Sequence, residues 1–163
     1  GIERVGELNP YITLACDLRC GYCYMFTFLA KAKDKSELMN PSYFLQMADF
    51  FCKEGNGLDR MTLLGGEPFL ATNLLIPLIK RIRAEFGRTK DIWCWTGYTW
   101  NELLLDSDDK LEMLGMLDIL VDGRFELDKK DLNLKFRGSS NQRIIDVQET
   151  IRLTKITLWE EPK

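Results

Sequence analysis

Three thiols set the chemical possibilities of this chain. Cys16, Cys20 and Cys23 stand in the spacing C-x3-C-x2-C on one short stretch. Three thiolates so close together can hold three corners of a cubane iron–sulfur cluster, whereas an electron carrier closes all four. The fourth iron is then open to a further ligand. Structural zinc would ask for a fourth Cys or His, and the chain contains no histidine. Cys94 could complete such a site only if its segment neighboured the loop. Three unrelated cysteines are the plainest alternative. The missing histidine also removes Ser-His-Asp triads, Cys-His dyads and HExxH zinc sites. Acid–base work would fall to Asp, Glu, Lys, Tyr or Cys.

The remaining candidates are turns and charges. Leu64-Gly65-Gly66-Glu67-Pro68 places two adjacent glycines before an acid. Such a pair lets a ligand approach the backbone closely, although an ordinary strand-to-helix turn would use the same residues. Trp95-Thr96-Gly97-Tyr98-Thr99 and Asp122-Gly123 are further glycine turns. Arg124, Arg137 and Arg143 lie in a polar stretch and read either as a docking surface or as solvated side chains. Cys52 and Cys94 stand alone and read as small buried apolar residues. Five cysteines cannot all pair within one chain, and a tight cluster points to metal binding in a reducing compartment, so a cytoplasmic location is expected.

These residues need elements to position them. The chain has 163 residues and 45% hydrophobic composition, which suggests one domain over residues 1–163 with a core that needs no disulfides. Its net charge of −3 argues against a general nucleic-acid binder, and no apolar run approaches the ~18 residues of a membrane span. Short apolar runs at residues 11–15, 61–64, 92–95 and 118–121 read as strands. Helical spacing is visible from a Pro41 start through Phe51, over Leu74 to Ile82 with an end near Gly87, and over residues 109–116. Residues 143–147 and 156–159 read as late extended segments, and residues 122–141 as loops. Alternation of strand and helix predicts a parallel α/β sheet. Functional groups in such sheets gather at the carboxyl ends of the strands, where the cysteine stretch and the glycine turns all fall.

The stretch Cys16-Asp17-Leu18-Arg19-Cys20-Gly21-Tyr22-Cys23 resembles the signature C-x3-C-x-aromatic-C of the radical S-adenosylmethionine (SAM) enzymes. The resemblance implies a 4Fe-4S cluster on Cys16, Cys20 and Cys23, with SAM chelating the fourth iron. It also implies SAM contacts from Tyr22, Cys23 and Tyr24, from Gly65, Gly66 and Glu67 in a GGEP-type motif, and from Thr96 and Gly97. The implied chemistry is one-electron cleavage of SAM followed by hydrogen-atom abstraction, which requires no histidine.

The string from about Met61 to Trp159, including Asp122-Gly123-Arg124 and Arg137-Gly138-Ser139-Ser140-Asn141, closely resembles one branch of that superfamily. This branch comprises the activating proteins of anaerobic ribonucleoside-triphosphate reductase, which install a glycyl radical on the reductase large subunit. That resemblance implies the reductase as partner, a one-electron donor such as flavodoxin, and docking roles for Arg124, Arg137 and Arg143. It implies a partial parallel (β/α) barrel, since a full one takes about 250 residues. Two stretches depart from the branch. Gly6-Glu7-Leu8-Asn9-Pro10 lacks its glycine-rich opening, and Tyr22-Cys23-Tyr24-Met25 looks more like peptide-modifying maturases. A maturase, a 7-carboxy-7-deazaguanine synthase-like enzyme and a non-enzymatic iron–sulfur carrier are the alternatives.

Overall fold

Residues 61–63 and 92–94 are apolar in succession or nearly so, which suits strands covered on both faces. The computed structural model describes residues 6–8, 45–46, 49–50, 52–53, 58–63 and 66–161. In chain order the elements are β1 (Gly6–Leu8), β2 (Leu58–Leu63), α1 (Thr72–Phe86), β3 (Asp91–Trp95), α2 (Trp100–Leu104), α3 (Asp108–Met116), β4 (Ile119–Asp122), β5 (Arg143–Asp146) and α4 (Val147–Leu153). The five strands form one sheet in the order β1-β2-β3-β4-β5. Pairs β1–β2, β2–β3 and β3–β4 are parallel, and β4–β5 is antiparallel. The fold is therefore mixed α/β.

Strand periodicity sends alternate residues to opposite faces. Met61, Leu63, Ile92, Cys94, Leu120 and Ile145 share one buried cluster with Leu75, Leu78, Ile79 and Ile82 of α1, Leu103 of α2 and Leu114 of α3. The other face is aromatic. Trp93 stacks on Trp95 with ring centroids 5.6 Å apart and meets Trp159 edge-on at 5.0 Å and Phe136 at 5.3 Å. The Arg60 guanidinium lies 4.4 Å above the Trp93 ring. The tail follows β5. The Trp159 amide donates to the Ile144 carbonyl, and Leu158 bridges Ile145.

At the amino ends of the strands, Arg83 of α1 donates to the Met116 carbonyl and to Asp118, the latter at 2.6 Å. Asp118 in turn accepts the Ile92 amide at 2.7 Å. The helix end, the start of β4 and the start of β3 are thus locked together. Gly87 closes α1 at φ 56°, the left-handed region that a side chain disfavours.

Several expectations hold. Strands cover residues 61–63, 92–95 and 119–121, and helices cover residues 74–82 and 109–116. The run at 11–15 lies outside the described residues. Of the first expected helix only residues 45–46 and 49–50 are described, and these are helical.

Other expectations are corrected. The sheet is not wholly parallel. A parallel return needs a crossover, usually a helix, but the chain between β4 and β5 carries only the 3-10 turn Leu127–Lys129. It therefore re-enters from the rim it left, and β5 runs antiparallel. Residues 156–159 make an isolated bridge, not a strand. Residue 147 begins α4, where Asp146 accepts the Glu149 amide as N-cap. Among the described residues no helix is long and apolar enough to cross a membrane.

Candidate functional site

The carboxyl ends of β2, β3 and β4 lie side by side, so the turns that follow them share one rim. After β2, Gly66 takes φ 63°, a conformation glycine adopts without steric cost. That turn leads Glu67 under the sheet edge, where its side chain is 0% exposed. Both carboxylate oxygens are engaged. Oε1 accepts the Phe69 amide at 3.1 Å and the Thr96 hydroxyl at 2.7 Å, and Oε2 accepts the Gly97 amide at 2.9 Å. Glu67 thereby caps the 3-10 turn Pro68–Leu70 and binds the turn after β3. Thr96, also buried, accepts the Tyr98 amide at 3.1 Å.

A second buried acid grips the same turn from the other side. Asp122, at the end of β4, is 1% exposed. Its Oδ2 accepts the Trp100 amide at 2.8 Å, and it takes a bidentate pair from Arg143 through Nε at 3.0 Å and a terminal nitrogen at 2.5 Å. That pairing holds Arg143 more firmly protonated than an ordinary guanidinium. The Gly123 amide adds a bond to the Tyr98 carbonyl at 2.9 Å. The turn from Thr96 to Trp100 is thus fixed by two carboxylates, one following β2 and one ending β4, the strands that flank β3.

The three arginines expected to dock a partner sit in different settings. Arg143 is turned inward onto Asp122. Arg137 donates to the Gln142 carbonyl at 2.5 Å. Arg124 is exposed and pairs with Glu102 at 3.1 Å. Glu102 also closes a capping box with Thr99 at the start of α2. The Thr99 amide, more than Arg124, holds the Glu102 carboxyl below its usual range.

Cys94 lies in the helix-side core, where burial, with Glu67 adding to it, pushes its thiol well up. Cys52 packs against the same core. Cys94 is buried as expected, whereas Cys52 is only partly buried. Cys16, Cys20, Tyr22, Cys23, Tyr24 and Gly65 lie outside the described residues. Among the described residues no cluster of Cys, Asp or Glu could hold a metal ion. In the described part of the rim, Glu67, next to Gly66, holds Thr96 and Gly97.

Sequence reading missed two supports of this rim. Asp122 and its hold on Trp100 are long-range and carry no local signal. The capping box was visible as Thr99-x-x-Glu102, the pattern that starts many helices.

Residues 11–145 match the family model described as a 4Fe-4S single cluster domain. The chain belongs to that family. The matched span of the single-cluster domain includes Cys16, Cys20, Cys23 and both buried acids. The chain is also similar to the anaerobic ribonucleoside-triphosphate reductase-activating protein of Pasteurella multocida, at 46% identity over 86 residues, 52% of this chain and 53% of that protein. The protein of the same name from Escherichia coli K12 is 43% identical over 84 residues, 50% and 52% of the two chains. That of enterobacteria phage T4 is 39% identical over 88 residues, 52% and 51%. The chain spans about half the length of the curated relatives it matches. No solved structure matches it.

Proposed function

We propose that this single-cluster domain is a radical SAM activase that generates a glycyl radical on the large subunit of an anaerobic ribonucleoside-triphosphate reductase. The reading is carried by the Cys16, Cys20 and Cys23 spacing in the sequence, taken together with a rim built from the Gly66, Glu67, Thr96 and Gly97 turns. The names of the relatives point to the same partner.

In this reading Cys16, Cys20 and Cys23 hold a 4Fe-4S cluster and leave one iron for SAM. When bound, that cluster supplies the single electron that cleaves the SAM sulfonium. The chain's own residues hold and shield. Tyr22 and Tyr24 would contact the adenine, Gly65 and Gly66 would offer backbone to the methionyl end, and Thr96 and Gly97 would hold the rim beside it. A flavodoxin-type donor supplies the electron. The sequential strand order, with α1, α2 and α3 sharing one core against one face, supports a partial (β/α) barrel of one domain. Its aromatic face is then the interior, where a partner loop would bring its glycine. The residues Tyr22-Cys23-Tyr24-Met25 favour a second reading, a peptide maturase, in which another peptide enters the same opening.

The test is anaerobic reconstitution of the full chain. It should take up about four irons per chain and cleave SAM when reduced. With the reductase, SAM and reductant it should give a glycyl doublet in electron paramagnetic resonance. Zinc alone in the loaded protein overturns the cluster reading. SAM cleavage without a doublet overturns the activase reading and leaves the maturase.

A further inference from the structure

We infer that Glu67 is a positioning residue, whose buried carboxylate holds the Thr96 and Gly97 turn in place for SAM without touching SAM itself. The inference rests on the proposed function and deepens it. A motif acid beside a bound amino acid invites the simpler role of a direct partner for its ammonium. The geometry points elsewhere.

Glu67 has no exposed surface, and its two oxygens already accept from Phe69, Thr96 and Gly97 at 2.7–3.1 Å. Thr96 has one hydroxyl proton, and it goes to Glu67. The hydroxyl oxygen therefore faces the rest of the turn only as an acceptor, and the Tyr98 amide uses it so at 3.1 Å. The carboxylate thus sets the direction of the Thr96 hydroxyl and the orientation of the Gly97 peptide together. Asp122 fixes the far end of the same turn through the Trp100 amide. A group held between two buried acids, one from each side of β3, arrives at the rim already ordered, and a ligand meeting it loses little freedom in organising it. Removing Glu67 would act on SAM only through the turn it releases.

The distinguishing experiment uses the reconstituted full chain and four variants: Glu67→Gln, Thr96→Val, Thr96→Ser and the double variant E67Q/T96V. Loss of a bond to a charged group predicts that E67Q and T96V each raise the KM for SAM about tenfold, with kcat changed less than about twofold. The double variant should be no worse than about twofold beyond E67Q, because both changes release the same turn. T96S restores the hydroxyl and should restore the KM. Independently of SAM, the Gly97 amide should exchange its hydrogen about tenfold faster or more in E67Q. T96V keeps the buried charge and nearly the side-chain volume, so it reports even if E67Q folds poorly.

A KM that rises in E67Q but not in T96V overturns the inference and makes Glu67 a direct ligand. So does a double variant whose loss is the product of the two single losses, or unchanged exchange at Gly97. If the unmodified chain binds no SAM, the proposed function falls first and this inference falls with it, a result separate from the others.

Discussion

Replacing Arg143 by Ala separates a structural cation from a docking cation. Arg143 supplies two of the three bonds described for Asp122, a carboxylate 1% exposed. A bond to a charged group is worth about 1.5–3 kcal/mol, and stranding one partner of a buried ion pair costs about 3–5 kcal/mol. The Arg143 side chain is 36% exposed, so water enters the space it vacates and recovers part of the loss. The expected cost is then the lower end of that range, about 3 kcal/mol. For a chain of this length that corresponds to a fall in Tm of about 6–12 °C. The assay is thermal or urea unfolding followed by the fluorescence of Trp93 and Trp95, with cluster loading equal in both proteins. Asp122→Asn should cost less, about 1–2 kcal/mol, because the freed guanidinium can rehydrate where the buried carboxylate cannot. If R143A stays within about 0.5 kcal/mol of the parent, and loses only its response to the reductase, the inward pair is energetically idle and Arg143 is a docking residue after all.

Four further outcomes are expected. Thr154 ends α4 in the left-handed region at φ 53° and is exposed, so Thr154→Gly should raise stability by about 1 kcal/mol, read as an upward shift in Tm. Thr99→Ala should cost about 1 kcal/mol near neutral pH by removing the cap of α2. Because Glu102 titrates below the usual carboxylate range when folded, its contribution is present above that range and lost as pH falls through the folded value. The gap between the parent and Glu102→Gln, read by urea unfolding, should therefore narrow in acid. The raised thiol of buried Cys94 should resist iodoacetamide at pH 8 until the chain unfolds, as read by peptide mass spectrometry.

Local pattern reported much of this architecture and little of its long-range detail. The runs at 92–95 and 119–121 are short, apolar and closed by turn residues, so they were readable as strands. α1 was readable because Leu74, Leu75, Leu78, Ile79 and Ile82 mark one face and Gly87 ends it. β1 has only three residues and no apolar run; its pairing with β2, distant in sequence, makes it a strand. α2 is too short for helical periodicity and was signalled only by its cap. The direction of β5 depends on the missing crossover helix, which no residue in β5 reports. At the rim, the glycine turns were legible from residue type. The fate of Arg143 was not, since its charge is equally at home in water and on a buried acid, and only the fold chooses.

The strand order carries a consequence for how the chain assembles. Each described strand lies beside the described strand that precedes it in sequence, so among them no pair waits for a later one to be inserted between its members. Many parallel sheets begin in the middle and hold slots open until distant strands arrive. This one can lengthen at a single edge while synthesis proceeds from the amino end, with each helix laid onto strands already present. The growing edge is a ready template for another chain. It is closed when β5 turns back antiparallel and the tail bonds along it through Ile144, Ile145 and Asp146. β5 and the tail that bonds along it thus also protect this edge from association during synthesis.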